Sequence, residues 1–166
     1  MKNKLKNLLI TGLLLAGISS YAQNNTAEEL INKHLNVKGI VFNETVSSSL
    51  MGEFPPNTIN DIQGRDFESF SYRLRNGKVC RLDKTYSFLS EESAKRKQTA
   101  LKPIYEKLLS HYSGVPVGNI KWEDGERSTP AERGTISASA GKFNISLLIL
   151  QLPRSYILGA IFTVRE

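Results

Sequence analysis

One cysteine (Cys80), two histidines (His34 and His111) and one tryptophan are nearly all that this 166-residue chain holds of the side chains that most often carry chemistry. A lone cysteine excludes an internal disulfide and a thiolate metal cluster. Catalytic motifs are missing as well: there is no G-x-S-x-G elbow, no G-x-x-x-x-G-K-[ST] loop, no H-E-x-x-H and no C-x-x-C. Motif-borne hydrolases, P-loop nucleotide enzymes, zincins and dithiol redox proteins are excluded with them. A catalyst assembled from distant residues is not. Long apolar runs are also absent. The longest, from Leu8 to Ile18, has about eleven residues, which at 1.5 Å each cover only about half of a hydrocarbon core of roughly 30 Å.

That run has another reading. Lys2, Lys4 and Lys6 precede it, and Ser20-Tyr21-Ala22 follow it with small residues at the two positions signal peptidase reads. The start is therefore expected to be a bacterial-type secretory signal peptide, 1–22, cleaved after Ala22. Leu15-Ala16-Gly17-Ile18 resembles a lipobox, but Ile18 stands where the lipid-accepting cysteine would be; no lipid anchor is expected. Removing the leader takes away three lysines and no acid, so the formal charge falls from +6 to +3. So mild an excess argues against a nucleic-acid partner. The remaining 23–166 are long enough for one domain with its own core, without metal or disulfide support.

Element signals predict an α+β domain: an antiparallel sheet of about five to seven strands, with a short N-terminal helix and a longer amphipathic helix packed on one face. Thr26 to Leu35 reads as the short helix, with a capping threonine, two glutamates in the first turn and Leu30, Ile31 and Leu35 on one side. Residues around Ile40, Phe42 and Val46 alternate as a strand, and 53–66 read as a loop. A hairpin turns at Asn76-Gly77. A three-residue loop, Arg75-Asn76-Gly77, would pair Tyr72 with Cys80, Phe70 with Leu82 and Glu68 with Lys84, placing Cys80 on the apolar face as a small hydrophobe. The long helix spans Glu91 to Tyr112, capped by Ser90, ended by Gly114 and interrupted by Pro103, which should kink or divide it. Its stripe is Leu101, Ile104, Tyr105, Leu108 and Tyr112. Three or four strands complete the chain; 143–152 and 156–164 are apolar on both faces and are expected to be central and covered on both sides.

Three sets of residues are candidates for function. His111, with His34 or Glu106, would serve a small hydrolase or a metal-assisted enzyme if the helices bring them together; both histidines are also explained as cations at helix C-termini. Lys95, Arg96 and Lys97 form a basic run that would attract a polyanion, although Glu91 and Glu92 lie four residues before Lys95 and Arg96 in the favoured helix-pair orientation. Two loops are the expected binding surface, one at Pro55 and Pro56 and one at Trp122, Glu123, Asp124 and Glu126, where an aromatic ring lies beside carboxylates. For the second loop the plainer reading is a hairpin turn at Asp124-Gly125.

Taken together, these features describe an exported, periplasmic or secreted, non-catalytic binding or interaction domain of inhibitor, immunity or envelope-accessory type. Its partner would be another envelope or extracellular protein or a small ligand; no metal and no cofactor are expected.

Overall fold

The computed structural model describes residues 25–62 and 66–165. The expected signal segment lies outside them. Its core is a seven-stranded antiparallel sheet in the order β3-β4-β5-β9-β8-β7-β6. The strands are β3 (Asn60–Asp61), β4 (Ser69–Arg75), β5 (Lys78–Phe88), β6 (Trp122–Asp124), β7 (Glu132–Ala140), β8 (Phe143–Gln151) and β9 (Tyr156–Val164). Both edge strands, β3 and β6, are very short, which leaves little unpaired backbone for another chain to extend. This is the α+β architecture that the sequence implies, with a long helix on one face of the sheet.

Helix α1 (Ala27–His34) starts at a complete capping box: the Thr26 hydroxyl accepts from the Glu29 N–H, and the Glu29 carboxylate accepts from the Thr26 N–H. Leu30, His34 and Leu35 are buried. Of the strand expected around Ile40 to Val46, only Ile40–Val41 and a single bridge from Thr45 to Lys78 form. In its place stand a two-stranded ribbon, β1 (Asn36–Val37) and β2 (Ile40–Val41), and a short helix, α2 (Ser48–Glu53). Lys38 and Gly39 turn the ribbon at positive φ, and the Ser47 hydroxyl caps α2 by accepting from the Leu50 N–H. Local turn and cap chemistry thus overrode an apolar alternation that was long enough for a strand.

The β4–β5 hairpin corrects the expected register. Asn76 and Gly77, at φ 52° and 76°, form a two-residue turn in which Arg75 pairs with Lys78 and Leu74 with Val79. A bulge at Cys80 then moves the pairing by one residue, so that Tyr72 lies opposite Leu82 and Phe70 opposite Lys84. The irregularity sits in the strand and not in the loop. Its consequence is that Val79, Leu82, Lys84 and Tyr86 all point to the covered face, while Cys80 is only half-buried. Glu68 receives the Ser87 hydroxyl instead of pairing with Lys84.

Helix α3 (Glu91–Ser113) is continuous through Pro103. Pro103 and Thr99 are both exposed, so the Thr99 carbonyl that lacks its N–H partner remains open to water. Ser90 caps the helix and Gly114, at φ 74°, ends it. Ala94, Leu101, Tyr105, Leu108 and Leu109 face the sheet. They meet Phe143, Ile145, Leu147 and Ile149 of β8 and Leu158, Ala160 and Phe162 of β9 in one core. The sheet's other face carries Leu148, Leu150, Ile157 and Ile161, all half-buried; among the described residues no helix lies over them. Strands β8 and β9 are therefore central, as expected, but among the described residues a helix covers them on one side only. Among the described residues no helix is long and apolar enough to cross a membrane.

Candidate functional site

The most distinctive cavity lies where β5, α1 and α3 meet. On β5 the inward positions next to Leu82 belong to Lys84 and Tyr86, and α1 ends against them. The resulting cleft has a volume of about 300 Å³. Its floor is Lys84, Tyr86 and Phe67; one wall is Asn32, Lys33 and His34 at the end of α1; Lys97 of α3 forms the other, and Asp66 lies at the rim.

Lys84 is only 2% exposed, an unusual setting for a lysine. Its Nζ donates to the Lys33 carbonyl oxygen at 3.2 Å and stands 4.5 Å from the centre of the Phe67 ring. The first contact satisfies a carbonyl at the negative end of α1, and the second adds a cation–π attraction. Lys97 reaches across the cleft to place its Nζ 5.0 Å from the centre of the Tyr86 ring. His34 packs edge-on against Tyr105, with ring centres 6.2 Å apart.

These surroundings set the protonation states. Burial, followed by the positive charges of Lys84, Lys33 and Lys97, lowers the His34 pKa from 6.5 to about 4, against a weaker opposing pull from Asp66. The imidazole is neutral at physiological pH. Burial, then the Asp66 carboxylate, raises the Tyr86 hydroxyl well above its ordinary value. The cleft thus presents a neutral imidazole and an intact phenol, beside three lysines and one aspartate with a formal sum of +2.

His34 makes stability depend on pH, because its folded pKa lies below its unfolded one. The unfolded chain binds the extra proton between pH 6.5 and about 4, so stability falls as pH drops through that window and the loss saturates below it. The full displacement corresponds to about 3 kcal/mol; water at the cleft-facing edge of the ring reduces the expected loss to about 2 kcal/mol. Urea unfolding at pH 7 and pH 4 should show this difference shrink in His34→Gln. An unchanged difference would remove His34 as its source.

The other candidate residues lie elsewhere. Pro55 and Pro56 follow α2 beside β4, where the Tyr72 hydroxyl donates to the Phe54 carbonyl at 2.7 Å and the Asn57 N–H to the Tyr72 carbonyl at 2.8 Å. Trp122 is on β6, at the opposite edge of the sheet. Six strand spacings, roughly 29 Å, separate the two loops, so they cannot form one site. The Trp122 indole N–H donates to Glu106 Oε1 at 2.7 Å, and Lys102 Nζ lies 5.5 Å from its ring centre. The tryptophan is thereby bound to α3, while Glu123, Asp124 and Glu126 are exposed. The Asp124-Gly125 turn is not formed as such: β6 continues its pairing, with the Gly125 N–H donating to the Thr135 carbonyl at 2.8 Å, and the chain reverses within 126–131.

His111 is exposed near Ala27 and Val117, at the start of α1, whereas His34 is at its end. The Glu106 carboxylate already accepts from Trp122, and five residues of helix turn it about 140° from His111. The structure brings none of these three together. Among the described residues no three His, Cys, Asp or Glu side chains are grouped to hold a metal ion. In the basic run, Lys95 pairs with Glu91 at 2.6 Å and Arg96 with Glu92 at 3.9 Å; only Lys97 turns into the cleft. Cys80 lines a second depression with Arg75, Lys78, Lys142 and Arg165. All four of those cations are exposed at turns or strand ends, and none is held in place by burial.

Sequence reasoning missed Lys84 as a site residue. The signal was the place of Lys84 on the face of Leu82 and Tyr86; the expected pairing with Glu68, which the structure replaces with Phe70, concealed it. No protein-family model matches this chain, and no match is found among curated proteins or solved structures.

Proposed function

We propose that this chain is a non-catalytic binding domain that works outside the cytoplasm, in the periplasm or beyond the cell, and that a small ligand enters the cleft between α1, β5 and α3. The observation that carries the reading is Lys84, a lysine 2% exposed at the floor of a cavity of about 300 Å³. Evolution rarely retains a buried lysine where a methionine would fill the same space, unless its charge or its donors are used. Binding is favoured over hydrolysis because His111 and Glu106, the acid–base pair that a small hydrolase would need, point in different directions from α3. Export is supported by the basic, apolar and small-residue order of 1–22.

The protein purified gently from its native host tests both parts. N-terminal sequencing is expected to read Gln23 first, and native mass spectrometry is expected to show a bound species. Asn32→Trp, which places an indole in the cleft from the exposed end of α1, should lose that species while keeping the parent's circular dichroism spectrum. Recovery of an unprocessed cytoplasmic chain would sink the export reading. A species retained by Asn32→Trp would sink the cleft.

A further inference from the structure

We propose that the ligand of this cleft is a small molecule bearing an oxyanion, a carboxylate or a phosphate, held between Lys84 and Lys97. The inference rests on the cleft being a binding site and adds the ligand's chemical class. Capping of α1 accounts for Lys84 alone. It does not account for Lys33 and Lys97 lining the same cavity against one rim carboxylate, Asp66. Like charges brought together cost free energy, and a bound anion offsets that cost.

The donors are arranged for such a group. Lys84 is held at the back by burial and by its bond to the Lys33 carbonyl, so little of its freedom remains to be lost on binding. Lys97 is half-exposed over the Tyr86 ring and free to swing onto an entering anion. The neutral imidazole of His34 and the phenol of Tyr86 each carry a proton to donate. A volume of about 300 Å³ is at the lower end of ligand cavities. With Phe67 and Tyr86 in its floor, it suits one charged head on a body of a few carbons and excludes a folded polymer.

Calorimetry on the processed protein tests this with inorganic phosphate and a short dicarboxylate as separate arms, and with glucose and choline as neutral and cationic arms. At least one anionic arm is expected to bind, to weaken as salt rises from about 20 to about 200 mM, and to lose on the order of tenfold in affinity in Lys97→Glu. Lys95→Glu makes the same change of net charge two residues away and should alter affinity less than about twofold. Unfolding midpoints of both variants verify that the fold is intact. Which anionic arm binds decides between phosphate and carboxylate. Equal effects of the two charge reversals, or no anion binding at millimolar concentration, would overturn the proposal. Binding of glucose or choline that Asn32→Trp abolishes would also overturn it, while leaving the cleft as a binding site.

Discussion

Phe42→Ala is expected to lower the unfolding free energy by about 4 kcal/mol. Phe42 follows directly after β2, in a ribbon too short to be stable alone. It is 1% exposed, and its ring stands edge-on to Phe162 at 4.8 Å, Tyr112 at 5.4 Å and Phe143 at 6.3 Å. One side chain thus ties the N-terminal arm to α3, β8 and β9. Its removal loses the transfer energy of a phenyl group and three aromatic contacts, and leaves a cavity that rigid sheet neighbours cannot fill. In a domain of this size the thermal midpoint should fall by about 10 °C or more. Leu89→Ala, at a position 92% exposed, is the control. Thermal melts in which the two variants move alike would show that the arm is not anchored through Phe42.

The second large effect separates function from stability at one position. Lys84→Met keeps the volume and the contact with Phe67 but removes the charge and its donors. Two stability terms oppose each other. The α1 carbonyl of Lys33 loses its partner, at about 1 kcal/mol, while the desolvation of a buried ammonium is relieved. The variant should therefore unfold within about 1.5 kcal/mol of the parent, yet bind the cleft's ligand at least about a hundredfold more weakly, in keeping with the loss of a desolvated charge pair. Lys84→Ala, which also opens a cavity, should be less stable than Lys84→Met by about 2 kcal/mol. Chemical denaturation and calorimetry on the three proteins provide the comparison. Full ligand affinity in a folded Lys84→Met would assign Lys84 to helix capping alone.

Much of the fold was legible from local signals. The Thr26 cap, the Ser90 cap, the left-handed Gly114 and the Leu101–Tyr105–Leu108 stripe each report on a few neighbouring residues, and all stand where the sequence places them. The extent of β8 and β9 was legible too, because their apolar runs exceed what a loop would carry. Failures came where two local rules competed. Ile40 to Val46 alternates like a strand, but Lys38-Gly39 and Ser47 supplied a turn and a cap, and these won. At Asn76-Gly77 a two-residue turn formed in place of the expected three-residue loop, and the extra residue was taken up three residues away, at Cys80. Of the candidate site residues, Lys97 and His34 reach the cleft, whereas the proline and tryptophan loops occupy opposite edges of the sheet.

By itself, the sequence determined the fold class, the ends of α1 and α3 and the central strands, and it holds none of the familiar catalytic motifs. These depend on periodicity, caps and residue type, interactions that decay within one turn or one strand. The site was decided by tertiary structure alone. The bulge at Cys80 sets Lys84 opposite Phe70 and away from Glu68, and the positive cleft exists only because Lys84, His34 and Lys97, from β5, α1 and α3, are folded against one another. Charge at a point in space is a sum over elements far apart in the chain. No window of sequence contains it.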